Sequence, residues 1–181
     1  METRTRQRST AEERRATVMR TAIKAFAARG YYGTSTMDVA KAAGISQGYL
    51  YRLFKDKETL FAALVDYCSD RLREAAASAA ASVRSTDPEA VLKAMTASYD
   101  DVIADRDVLM ILMHANCSAS EPVIGEAVRT CYAKQVEYVR AVSGASDEQI
   151  RRYFADGLLS NVVVAIDAAS VDAPWARTLH A

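Results

Sequence analysis

Between Thr36 and Lys57 the chain gathers polar groups of several kinds: the hydroxyls of Thr36, Ser46, Tyr49 and Tyr51, the carboxamide of Gln47, the bare Cα of Gly48, and the cations Arg52 and Lys57. Two chemistries fit such residues at this spacing. Gly44-Ile45-Ser46-Gln47-Gly48 matches G-x-S-x-G, the strained turn that presents a nucleophilic serine in α/β-hydrolases. The alternative is hydrogen bonding to nucleic acid. Hydroxyls and helix N-terminal amides meet phosphate, and a glutamine pairs with two edge atoms of adenine. Glycine admits close backbone approach, and tyrosine reaches phosphate or the thymine methyl.

The element that must hold the serine separates the two. A nucleophile elbow needs a strand before the serine and a histidine partner. The preceding TMDVAKAA has helical spacing and no β-branched run, and only His114 and His180 are present. No enzymatic activity is expected. Instead Val39, Ala40, Ala43, Ile45, Leu50 and Leu53 fall where two short, steeply crossing helices bury them against each other. Gly44 supplies a positive φ at the joint, and Ser46 caps the second helix. This is a helix-turn-helix pattern, with Thr36 to Ala43 as positioning helix and Ser46 to Phe54 as the helix that enters the major groove. Tyr51 has a second reading, as packing on the preceding helix. Lys57 lies near a helix start, where a cation opposes the macrodipole; it is read as a phosphate contact, against an ordinary solvated lysine.

Charge supports the second chemistry. The 23 Lys and Arg balance 23 Asp and Glu overall, yet up to Lys57 there are twelve against five, and beyond it eleven against eighteen. A basic amino-terminal part suits a phosphate-bearing partner, although charge alone fits RNA or an acidic protein equally well. Half of the 181 residues are hydrophobic, enough for a sizeable core, and Gly (7) and Pro (3) are scarce, which favours an all-α chain. Three cysteines without C-x-x-C spacing point to reduced thiols in a cytoplasm. No signal peptide or membrane span is expected.

The remaining elements follow in order. Arg4, Arg6 and Arg8 form a basic arm, read either as reaching the DNA backbone or minor groove or as a solvated tail. Thr10 with Glu13 opens a first helix that ends at Gly30, and Ser35 with Asp38 opens the second. A long helix is predicted to about Val83, the next from Asp87-Pro88 to Ala104, then one opened by Asp107. That helix is apolar nearly all round and so is predicted to be buried on every side. Another starts at Glu121-Pro122 and stops near Gly144, and the last, capped by Asp147, runs to about Ala169. Trp175 lies in the tail. The boundary between an amino-terminal DNA-binding domain (1–57) and a second domain (58–181) is placed after Lys57.

Residues 22–65, AIKAFAARGYYGTSTMDVAKAAGISQGYLYRLFKDKETLFAALV, resemble the TetR/AcrR-type one-component transcriptional regulators. The shared marks are an apolar helix ending in Gly-Tyr, a Thr before the first short helix, the Val39-Ala40 pair, Ala-Gly-Ile-Ser, a Tyr-x-x-Phe and a Lys-Glu-x-Leu. The resemblance implies an all-α homodimer that binds a near-palindromic double-stranded DNA operator and is released by a small molecule. Carried over by position, Thr36, Ser46, Gln47, Gly48, Tyr49, Tyr51, Arg52 and Lys57 form the DNA-contacting set. An activator, or a regulator without a ligand, would share the same DNA module. From about Asp66 the likeness is only to the general layout of a variable ligand-binding and dimerisation domain.

In that second part, Met95, Tyr99, Met110, Met113, His114, Cys117 and Tyr132 combine flexible apolar chains with a few polar tips, a mixture that suits an apolar effector and equally suits plain core packing. His114 is read as a ligand donor, a satisfied core histidine or a metal ligand. Further metal ligands at helical spacing are lacking, so neither a metal nor another cofactor is expected. The final long helix mixes small and apolar residues. Phe154, Gly157, Leu158, Asn161, Val162 and Ala165 are assigned to a homodimer interface, in which this helix and the one before it build an intersubunit four-helix bundle.

Overall fold

The computed structural model describes the backbone of residues 2–179 and the side chains of residues 12–179; among these it has nine α-helices, one short 3-10 turn and no strand. The protein is all-α. The helices are α1 (Glu2–Gly33), α2 (Thr36–Ala42), α3 (Gln47–Leu53), α4 (Lys57–Ser82), α5 (Pro88–Ile103), α6 (Arg106–Cys117), α7 (Pro122–Ser143), α8 (Asp147–Ala165) and α9 (Pro174–Leu179). None of the described helices is long and apolar enough to cross a membrane. The side chains of Arg4, Arg6, Arg8 and Thr10 lie outside the described residues, and α1 begins at Glu2, before the expected start.

Local signals decide most helix ends. Ser35 and Asp38 form a reciprocal capping box on α2, and the Ser46 hydroxyl accepts from the Tyr49 N–H to cap α3. Asp56 caps α4 through the Thr59 N–H at 2.7 Å, Pro88 and Pro122 occupy first turns, and Gly144 ends α7 with φ 63°. Three expectations are corrected. Asp105, not Asp107, caps α6; Asp107 is the donor to its side chain. Ser146, in a box with Gln149, caps α8 in place of Asp147. That helix ends at Ala165 because Asp167 takes a left-handed φ of 51°, and the tail that follows forms the 3-10 turn Ala168–Ser170 and α9.

Two apolar clusters hold the helices. The first joins Val18, Phe26, Tyr31, Val39, Leu50 and Phe54 to Leu60, Phe61, Leu64, Val108 and Ile111, so the amino-terminal half of α4 and part of α6 share a core with α1–α3. The second gathers Ala76, Val91, Leu92, Met95, Val139 and Ile150 from α4, α5, α7 and α8. Helix α6 is not buried on every side as expected. Val108, Leu109, Ile111 and Ala115 are buried, but Met110, Leu112 and Met113 are half-buried and Cys117 is exposed; Leu112, Ala115 and Asn116 border a cleft.

Helix α4 runs through both clusters, and within the first α1 packs against α6. Gly30, with φ 70° and ψ 177°, interrupts α1 in a region open essentially to glycine alone, and a Cβ built there would come 3.1 Å from the His114 ring. Gly30→Ala therefore strains the backbone and displaces the ring; urea denaturation should show a loss of about 2–3 kcal/mol of unfolding free energy. A second expectation concerns acid. The Thr59 N–H holds the Asp56 carboxyl below the ordinary carboxylate range, and Arg71, 2.9 Å from Asp105, does the same there. Their stabilisation is present above the unfolded value of about 3.9 and is lost as pH falls through the lowered native values. The melting temperature should drop below about pH 4, and the drop should flatten in Asp56→Asn and Asp105→Asn.

Candidate functional site

The helix-turn-helix is assembled by short-range bonds. Ile45 N–H donates to Ala40 O at 3.0 Å across Gly44, whose φ is 67°, and this sets the angle at which α3 leaves α2. Arg29 pairs with Asp38 at 3.2 Å and ties α2 back to α1. Arg15 donates to Leu53 O at 3.0 Å and lies 4.2 Å over the Phe54 ring, which fixes the end of α3. Nothing in the sequence pattern singled out Arg15; its partner lies 38 residues away.

On this frame Ser46, Gln47, Gly48, Tyr51 and Arg52 are exposed, Tyr49 is half-buried and Leu50 is buried beneath them. Thr36 is buried, and its hydroxyl joins two side chains of α3: Gln47 Nε2 donates to it at 2.9 Å, and Tyr51 Oη shares a hydrogen bond with it at 3.0 Å. The guanidinium carbons of Arg14 and Arg52 lie 5.8 and 5.9 Å from the centre of the Tyr49 ring. Lys57, the first residue of α4, is half-buried with its ammonium 4.3 Å above the Tyr31 ring. Burial, with Glu58, Glu121, Tyr32 and Asp56 adding to it, pushes the Tyr31 phenol up to about 12, so it stays protonated under the cation.

Ser46 has no nucleophile-elbow geometry. It follows α2 and the Gly44 turn rather than a strand, and its Oγ accepts from the Tyr49 N–H at 3.1 Å. The imidazole of His114 is engaged elsewhere: it stacks on Gly30, with Nε2 3.3 Å from Ala27 O.

A second feature lies among α4–α8, a cleft with about 670 Å3 of space free of protein atoms, part of it open to solvent. Of the residues proposed from sequence for a pocket, Tyr99 and Tyr132 line it. Met95 is fully buried in the second core, Met110 and Met113 are half-buried away from the cleft, His114 faces α1, and Cys117 is exposed. Of those proposed for a dimer interface, Phe154, Gly157, Leu158 and Asn161 line the cleft, while Val162 is exposed and Ala165 half-buried. Tyr99 Oη donates to Asn161 Oδ1 at 2.8 Å, and Gln135 Nε2 to Cys131 Sγ at 3.3 Å. Gln135, Tyr153 and Thr96 were not singled out from sequence. The spacing of Val128, Cys131, Tyr132 and Gln135 along one face of α7 was a usable signal.

Comparison with known proteins places this geometry. Residues 18–64 match the model of bacterial regulatory proteins of the tetR family. An uncharacterized HTH-type transcriptional regulator, YerO of Bacillus subtilis (strain 168), is 27% identical over 149 residues, 80% of this chain and 50% of that protein. The HTH-type transcriptional regulator AcrR of Shigella flexneri is 34% identical over 64 residues, covering 35% of this chain and 30% of that protein. The chain thus spans half or less of the length of these curated relatives. Among solved structures, the fatty acid degradation regulator FadR of Bacillus halodurans superposes with a TM-score of 0.70 at 17% identity, over 92% of each chain. A TetR-like transcriptional regulator from Rhodococcus sp. RHA1 does so with 0.67 at 21% identity, over 92% of this chain and 90% of that one. These two likenesses concern the fold.

Proposed function

From a chain whose residues 18–64 belong to the tetR family of bacterial regulatory proteins, we propose a ligand-responsive DNA-binding transcriptional regulator. It acts as a homodimeric repressor on a near-palindromic operator and is released by a small apolar or amphipathic molecule. The observation that carries this reading is the exposed face of α3. Gln47, Gly48, Tyr51 and Arg52 stand out from a buried Leu50, on a helix whose start and end are both tied down. Such a face reaches base edges and phosphates without rearranging. Thr36 acts beneath that face: its hydroxyl orients Gln47 and Tyr51. Tyr49, between two guanidinium groups, sits where phosphate charge is welcome.

One recognition helix reads too few base pairs for a useful preference over genomic DNA, so two copies are needed. The outward face of α8 supports pairing. Leu158, Leu159, Val162 and Ile166 are each 41–52% exposed, an apolar stripe that a second copy of α8 and α7 would cover in a four-helix bundle.

Fluorescence anisotropy with the intergenic DNA flanking the gene, against random duplex at several salt concentrations, tests the DNA reading. Affinity should fall steeply with salt, and Gln47→Ala should cost roughly 5- to 100-fold on the specific site with little change on random DNA. A purified dimer with no preference for the flanking DNA sinks the proposal. Size-exclusion chromatography with light scattering tests the interface. Val162→Arg should yield a folded monomer at micromolar concentration and weaken operator binding about 100-fold or more; a variant that remains dimeric removes α8 from the interface.

A further inference from the structure

We propose that the cleft among α4–α8 binds an uncharged aromatic molecule, with the Asn161 amide donating to it and the Gln135 carbonyl accepting from it. No Lys, Arg, His, Asp or Glu lines the cleft. Asp66, Asp100 and Lys134, whose charges bear on the Cys131 and Tyr153 walls, are exposed residues that do not line it, and Arg140, Asp147 and Arg151 lie in an adjoining depression that shares Phe154 and Leu158 with the cleft. An ionised ligand entering the cleft would leave water without a counter-charge, whereas a neutral one gives up far less hydration. The rings of Tyr99, Tyr132, Tyr153 and Phe154 stand among its walls. Tyr132 and Phe154 lie 6.3 Å apart at 54°, Tyr153 and Phe154 5.3 Å apart at 85°, arrangements that present both faces and edges to a planar guest. Burial raises the phenols of both Tyr99 and Tyr153, the latter to about 12, in keeping with walls poor in water.

The polar equipment is small and already oriented. Asn161 spends its carbonyl on the Tyr99 hydroxyl, and Gln135 spends its amide nitrogen on the Cys131 thiol. The Asn161 amide nitrogen and the Gln135 carbonyl oxygen have no partner among the described residues. No described buried side-chain nitrogen or oxygen lacks a partner, so these two atoms are not sealed off, and the residues that carry them both line the cleft. The pair therefore presents one donor site and one acceptor site, set on α8 and α7. A neutral carboxamide, lactam or phenolic ketone on an aromatic frame satisfies both.

This specifies the effector of the regulator proposed above and rests on that reading only for the consequence of binding. Calorimetric titration of the full chain with 2-naphthamide, its carboxylate counterpart 2-naphthoate and the saturated-chain decanamide, at pH 7.5 and without DNA, reads the ligand class directly. The amide should bind one per protomer, 2-naphthoate at least 30-fold more weakly, and decanamide more weakly than 2-naphthamide. Gln135→Leu and Asn161→Asp should each weaken 2-naphthamide by roughly 3- to 10-fold. Asn161→Asp keeps the oxygen that Tyr99 needs, and its circular dichroism melt checks the fold. Equal or tighter binding of 2-naphthoate, decanamide matching 2-naphthamide, no binding of the amide, or amide binding unchanged in both variants would each overturn the proposal. Operator release, followed separately by anisotropy on the same preparation, tests the regulator reading alone.

Discussion

At Gly30 the chain turns with φ 70° and ψ 177° and leaves no side chain where the His114 ring lies. Everything around that turn uses the space. The Thr34 hydroxyl closes it, 2.8 Å from Gly30 O and 3.1 Å from Ala25 O. Tyr31 swings inward onto Phe61, which in turn packs on Phe26. Tyr32 points outward, and its hydroxyl donates to Glu121 at the start of α7. Lys57 then covers Tyr31 at the first turn of α4. One backbone conformation thus sets α1 against α6, α7 and α4 at once, and a side chain at residue 30 would disturb all three contacts.

The chain was most legible where a structural decision is local. Ser35, Ser46, Pro88, Pro122, Gly44 and Gly144 mark helix ends through bonds spanning a few residues, and each stands where its chemistry predicts. The misses at Asp105 and Ser146 have a common cause. Each true cap stands within two residues of an acidic residue that competes with it on sequence grounds, and only the backbone angles choose between them. The DNA-contacting set proposed here comes from the resemblance in residues 22–65, carried over by position. Arg15 escaped, since nothing local shows that its guanidinium reaches Leu53 O.

The second half was less legible for a physical reason. Helix α6 looked uniformly apolar, and composition alone cannot tell a core from the wall of a cleft: both exclude charge. The hydrogen bond between Tyr99 and Asn161 spans 62 residues and depends on how α5 meets α8, a packing angle that no short pattern encodes. Methionines stood out in the sequence as adaptable pocket residues, yet Met95 is completely buried in the second core. Rings and carboxamides on α5, α7 and α8 border the cleft instead.

The two halves differ in how tightly they are specified, and this bears on how a ligand would act. The α2–α3 unit has both of its caps satisfied, a buried Thr36 holding Gln47 and Tyr51, and Arg15 and Arg29 binding it to α1. A unit so fully bonded presents its exposed face already ordered, which costs little further ordering on binding. The cleft, by contrast, is walled by α6 on one side and α8 on another. The opposite face of α6 rests on α1 at Ala27 and Gly30, and the outer face of α8 carries the exposed apolar stripe. In the regulator proposed here, a molecule in the cleft therefore acts on the spacing and tilt of two rigid reading heads, not on their shape. Its leverage equals the difference in its affinity for the arrangement that matches successive major grooves and the one that does not.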